Sequence, residues 1–175
     1  MYLISAYFDN QSNKILNRYI KQIAEKSGNQ FMISHQVPPH MTISQIEARS
    51  EDILISHFYE LQDELCRGNI EIASVGMMMP YVIYAMPVFN QYLQDLATEV
   101  YCTFNQIDET KISKYYKPMS WIPHITLGKI LTKEQMLDAV RVLQDGFVPM
   151  VAEITEIGLA RVNPHEDIVR FRLKN

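Results

Sequence analysis

The chain has no basic excess. Its 175 residues carry 16 Lys and Arg against 20 Asp and Glu, a formal net charge of −4. Proteins that grip long nucleic acid through its phosphates are ordinarily basic. Extended nucleic-acid binding is therefore not expected, and any phosphate handled here is a small ligand or a strand terminus in a local pocket. Cysteine is scarce too. Cys66 and Cys102 are the only two, with no CxxC and no His or Cys nearby at ligand spacing. That leaves no pattern for a disulfide framework or a zinc site, and both are expected as reduced core residues on helices. Nowhere do 18 apolar residues run together, so no membrane-spanning helix is expected. Asp9 interrupts the apolar run of residues 1–8 and no basic stretch precedes it, which argues against a secretory signal. Gly/Ser runs, charge blocks and low-complexity segments are missing, so no linker divides the chain. The expectation is one compact unit over residues 1–175, cytoplasmic and monomeric, in contact with no membrane.

What the chain does have is a short phrase said twice. Pro39-His40-Met41-Thr42-Ile43 recurs as Pro123-His124-Ile125-Thr126-Leu127, with the histidines 84 residues apart. On a strand the side chains alternate faces, at about 3.3 Å per residue. Each histidine therefore points the same way as the threonine two positions on, while Met41, Ile43, Ile125 and Leu127 point into a core. Parity also carries Ser44 and Gly128, both small, onto the histidine face, where they leave room for a ligand.

The surrounding pattern places these strands. Residues 2–8 read as a strand, and Ile15, Leu16, Tyr19, Ile20 and Ile23 recur at helical spacing before Gly28. Phe31-Met32-Ile33 reads as a short strand. Ser50 caps a helix with Leu54, Phe58, Leu61 and Leu65 on one face. Two strands, 70–79 and 81–86, meet at Pro80; Met77, Met78 and Met79 read as gap-filling core, not as a soft-metal site. A helix over 88–105, a second opened by the box Thr132-x-x-Gln135, and strands near 148–162 and 167–173 turned by Asn163-Pro164 complete the chain. The order motif strand, helix, strand, strand thus occurs twice. It predicts an α+β fold of two lobes related by a pseudo-two-fold, with antiparallel-rich sheets facing a central cleft and helices outside.

Such a cleft holds two imidazoles, each with a hydroxyl beside it. In-line attack on a phosphodiester needs a base on the incoming oxygen and an acid on the leaving one. Two groups that titrate near neutrality supply both. The hydroxyls of Thr42 and Thr126 are placed to donate to the non-bridging oxygens. One imidazole per strand with no carboxylate beside it calls for no metal and no cofactor.

On Pro39-His40-Met41-Thr42 and Pro123-His124-Ile125-Thr126-Leu127-Gly128, the sequence resembles the two-histidine (2H) phosphoesterase superfamily, and within it the bacterial 2′,5′ RNA ligase-like and cyclic phosphodiesterase proteins. The resemblance implies a bilobal α+β protein without a metal that opens 2′,3′-cyclic phosphates to 2′-phosphomonoesters, or joins RNA ends through 2′,5′ bonds. It implies His40 and His124 as the acid/base pair, with His124 as base, and Thr42 and Thr126 as phosphate ligands. The substrate would be a small nucleotide or an RNA terminus bearing a cyclic phosphate. A non-catalytic module holding such an end is the alternative from another class.

Other candidates are weaker. Relatives often carry a basic residue just past the second motif, where Lys129 stands, but strand parity sets Lys129 on the face opposite His124. Arg161, Arg170 and Arg172 are unranked substitutes. Between Asp108 and Pro123, Tyr115, Tyr116, Lys117 and Trp121 read either as a substrate-facing loop that stacks a base and neutralises phosphate or as a surface loop pinned by its aromatics. His35 is expected to support the loop before the first motif, and His57 and His165 to be solvated.

Overall fold

Local chemistry sets the helix limits. The Asp9 carboxylate accepts from the N–H groups of Gln11 and Ser12 to open α1 (Asn10–Ser27), which ends at Gly28 with φ 74°, a left-handed conformation open to glycine at little cost. Ser50 opens α3 (Glu51–Glu64), Asn90 opens α4 (Gln91–Asn105), and the Thr132/Gln135 box is complete at the start of α5 (Lys133–Gly146). The strands are β1 (Tyr2–Phe8), β2 (Met41–Ala48), β3 (Gly68–Met78), β4 (Val82–Pro87), β5 (Thr110–Ile112), β6 (Ile125–Gly128), β7 (Met150–Arg161) and β8 (Glu166–Arg172). The computed structural model describes residues 1–162 and 166–175. The turn expected at Asn163-Pro164 and the solvated His165 lie outside the described residues.

These strands form an antiparallel sheet in the order β1-β2-β6-β4-β3-β7-β8, with β5 on the outer part of β2 and β7 returning to β1. The sequence pattern predicts two sheets; hydrogen bonds join them into one. The reason is the length of β7. Residues 150–154 of β7 pair with β3, whereas 154–161 pair with β1 and 156–161 with β8. At the other side of the ring a single pair, Met41 with Ile125, joins β2 to β6.

β1 pairs with β2 as β4 pairs with β6, and β1 pairs with β7 as β4 pairs with β3. Helix α1 packs on α5 and β6, while α4 packs on α3 and β2. One apolar cluster runs beneath both motif strands and includes Ile4, Met41, Phe58, Phe104, Ile125 and Leu127. Among the described residues no helix is long and apolar enough to cross a membrane.

Three local expectations are corrected. Residues 31–34 form a short helix, α2 (Phe31–Ser34), because the Asn29 side chain accepts from the Phe31 N–H and starts a turn. Met77 and Met79 are exposed, since β7 covers β3 only as far as Ile72 and the hairpin tip projects beyond it. Both cysteines are exposed: Cys66 follows the end of α3 in a bridge to Lys174, and Cys102 stands off the buried face of α4.

Candidate active site

Both motifs meet at the β2–β6 junction. Met41 and Ile125 are paired and fully buried, so the residues on either side of them turn away from the core. Carried one residue each way, the antiparallel register sets His40 opposite Thr126 and Thr42 opposite His124. Directly opposite residues have Cβ atoms about 4.5–5.5 Å apart, and diagonal ones roughly 7–8 Å. The two histidines lie on one diagonal and the two threonines on the other. Each histidine is thus teamed with the threonine of the other motif.

The prolines then fix the rings. Pro39 and Pro123 have no N–H to give a ladder, and each histidine stands one residue ahead of its strand. Both rings turn back on the carbonyl two residues upstream: His40 Nδ1 lies 2.8 Å from the Pro38 oxygen, and His124 Nδ1 2.9 Å from the Ile122 oxygen. A carbonyl only accepts, so Nδ1 carries the proton in both, which leaves Nε2 as the atom for chemistry. Burial of His124 pulls its pKa below the ordinary 6.5, against a smaller upward pull from the Ile122 carbonyl. His124 is the more readily neutral for it.

Each ring is backed by a tyrosine from the neighbouring strand. Tyr7 of β1 lies 6.3 Å from His40, and Tyr84 of β4 stands edge-on to His124 at 5.4 Å between centroids. Each tyrosine in turn lies over a glycine. A Cβ on Gly158 would come within 2.8 Å of the Tyr7 ring, and one on Gly76 within 2.5 Å of Tyr84. Burial raises the Tyr7 pKa, outweighing the lowering by Arg170. Sequence reasoning missed Tyr7, Tyr84, Gly76 and Gly158. The signal available was positional: both tyrosines sit in the strand preceding the helix that precedes a motif.

A bulge follows each motif. The β1–β2 register slips between Thr42 and Ser44, and the β4–β6 register between Thr126 and Gly128. The extra residues are Ile43 and Leu127. In consequence Ser44 is buried opposite Ile4, and Gly128 packs on Ile83 and Leu131. Neither makes room for a ligand, contrary to simple parity. Because of the same slip, simple parity does not fix the face of Lys129, which follows the last residue of β6. It is exposed just past β6, its ammonium 5.9 Å from the Phe31 ring.

The remaining candidates separate. Trp121 is buried and its indole N–H donates to the Thr42 carbonyl at 3.0 Å, so it holds the motif strand from within and offers no open face to a base. Tyr116 is half-buried against the core, burial raising its pKa. Tyr115 is 67% exposed with the Lys114 ammonium over its ring, and Lys117 is exposed. Of the three arginines, Arg161 pairs with Glu51 and Glu166 and Arg172 with Glu156. Arg170 stacks on Tyr7, 3.6 Å above its ring, along the row Arg170–Gly158–Ser5–Thr42. It stands on the motif face, and Arg172, two residues along β8, lines the same hollow beside Tyr7 and Pro39. His35 stacks on Phe31 at 4.1 Å beside the loop to His40, and His57 contacts Glu60. Among the described residues, no three His, Cys, Asp or Glu are grouped as a metal requires.

No protein-family model matches the sequence, and no curated protein matches it. Solved structures do. The chain superposes on E. coli LigT, crystallised with 3′-AMP, at TM-score 0.61 and 14% identity, covering 99% of this chain and 98% of that one. The chain has the LigT fold. A crystal structure described as a phosphoesterase gives TM-score 0.59 at 13% identity, and TT0787 of Thermus thermophilus gives 0.61 at 14%, each with the same coverage. The LigT-like architecture thus extends over the whole chain, as the two motifs imply.

Proposed function

We propose that the protein is a metal-independent phosphodiesterase that opens the 2′,3′-cyclic phosphate of a nucleotide or RNA end to a 2′-phosphomonoester. The observation that carries this reading is the matched pair of Nδ1-anchored imidazoles at one strand junction, each facing a threonine. Neutral His124 takes a proton from water through Nε2 as the water oxygen attacks phosphorus. The bond to the 3′ oxygen breaks, and protonated His40 delivers its Nε2 proton to that oxygen. Thr42 and Thr126 donate to the non-bridging oxygens, where charge gathers. Proton exchange with solvent restores both rings. With an RNA 5′ hydroxyl in place of water as the nucleophile, the same pair would break the same bond to the 3′ oxygen and join RNA ends through a 2′,5′ bond.

The test is hydrolysis of 2′,3′-cyclic mononucleotides and cyclic-phosphate-ended oligonucleotides by EDTA-treated protein, with the product identified by phosphorus NMR. A 2′-phosphate product that disappears in His40→Ala and His124→Ala is expected. Loss of turnover on chelation, or turnover that survives the double substitution, overturns the proposal. Tight binding of the cyclic nucleotides without turnover would identify a binding module instead.

A further inference from the structure

The motif strand β2 does not end its exposed face at Thr42. Beyond the Ile43 bulge, Gln45 and Glu47 alternate with fully buried Ile46, which returns both to the side of His40 and Thr42. Here β5 pairs with β2, Glu47 opposite Lys111, and the Ser113 N–H donates to the Gln45 carbonyl. A 3-10 turn over Lys114–Tyr116 follows. Together they enclose a cavity of about 500 Å³ lined by Gln45, Glu47, Lys111, Ser113, Lys114 and Lys117. Three lysines and one glutamate line it, in a chain whose net charge is −4. None of the three lysines makes an ion pair among the described residues, even Lys111 opposite Glu47. Lys114 lies 5.2 Å over the ring of exposed Tyr115. Asp108 and Glu109 line the next hollow along and bound the basic stretch.

We infer that this lysine cavity holds the phosphodiester backbone of a single-stranded RNA leading into the reacting end, so that the preferred substrate is an oligonucleotide terminus. The inference rests on the reading of the His40/His124 site given above. Gln45 and Glu47 are three and five residues from Thr42, about 10–16 Å along the strand. That span equals about three to five nucleotides at 3.4 Å each for a stacked strand. Lysines bind such a backbone as point charges, indifferent to sequence, and an exposed tyrosine adds a face for a base. A mononucleotide at the motifs would not reach them.

The experiment compares kcat/KM for a 2′,3′-cyclic mononucleotide and for a hexaribonucleotide ending in a 2′,3′-cyclic phosphate, in the wild type and in Lys111→Gln/Lys114→Gln/Lys117→Gln. The oligonucleotide-to-mononucleotide ratio is expected to fall at least ten-fold, through KM. The slope of log affinity against log salt for the hexamer is expected to flatten by about 2, since each phosphate that a lysine neutralises on a single strand adds about 0.7 to it. An unchanged ratio or an unchanged slope overturns the inference. Should the wild type turn over neither substrate, the proposed reaction fails. Anisotropy of a labelled hexamer ending in 3′-phosphate then decides the lysine site alone, by the same slope.

Discussion

Met41 and Ile125 are backbone partners across the β2–β6 junction. This pair joins segments 84 residues apart and determines which side chains share a face. His40 comes to stand opposite Thr126, and His124 opposite Thr42. The chemistry proposed for the protein is a property of this junction, and the first test is of its cross-strand teams.

His40→Ala and His124→Ala are each expected to lower kcat by about 10²–10⁴. Thr42→Val and Thr126→Val remove a donor while keeping shape and are expected to cost about 10²–10³. Because His40 and Thr126 act at one end of the phosphate, the His40→Ala/Thr126→Val pair should lose less than the product of the single losses. Initial rates on a cyclic nucleotide, with circular dichroism to confirm folding, check both. Fully multiplicative losses would dissolve the team.

The pH dependence follows from the burial of His124. A base must be neutral to accept a proton, and burial holds this imidazole below its ordinary 6.5. Activity should therefore rise with pH through a value under 6.5 and already be on its plateau for this group at neutrality. The acid limb of kcat/KM reads the free-enzyme value. In Tyr84→Ala the ring is more open to water, and the limb should move up toward 6.5; a limb that stays put would remove His124 as the base.

Gly76→Ala and Gly158→Ala are predicted to injure the site without touching the motifs. The new methyl at 76 meets the Tyr84 ring, and that at 158 meets both Tyr7 and the Arg170 stem. Each ring must shift, at a cost of about 1–3 kcal/mol for overpacking, and carries its histidine contact with it. Denaturant midpoints and kcat should fall together. Gly146→Ala is the control, with open space around its Cβ and an end-of-helix position, and should alter neither by much.

Trp121→Phe should leave the Thr42 carbonyl without its partner and destabilise by about 1–3 kcal/mol. Far-UV circular dichroism in denaturant measures this, since Trp121 is the only tryptophan. Because the same carbonyl belongs to a motif residue, kcat should drop as well. A stability loss with full activity would confine Trp121 to the core.

Thr132→Ala removes the capping box of α5, for a loss of about 1 kcal/mol. This helix packs chiefly on α1, with a smaller contact to β4, so kcat at a temperature well below unfolding should not change. A fall in kcat would show that stability and activity are coupled throughout the fold.

Much of this was legible in the chain. The caps at Ser50 and Thr132, the apolar faces of α1, α3 and α4, and the strand pattern around both motifs are local properties, decided by neighbours within a few residues. Errors arose where a longer-range partner overrode local pattern. Parity along a strand holds only while the ladder is regular, and the bulges at Ile43 and Leu127 reversed the count for Ser44 and Gly128. Composition likewise marked the aromatics of 115–121 as one group. Packing divided them into buried Trp121, half-buried Tyr116 and exposed Tyr115.

By itself the sequence determined the chemical vocabulary: two Pro-His-x-Thr phrases, each with a proline ahead of its strand and apolar alternates along it, because such preferences act over a few bonds. Only the tertiary structure decided that each histidine faces the other phrase's threonine, that Tyr7 and Tyr84 back the rings over Gly158 and Gly76, and that three lysines converge further along β2. Those are relations between strands remote in the chain, fixed by register and by close packing, and no local pattern encodes them.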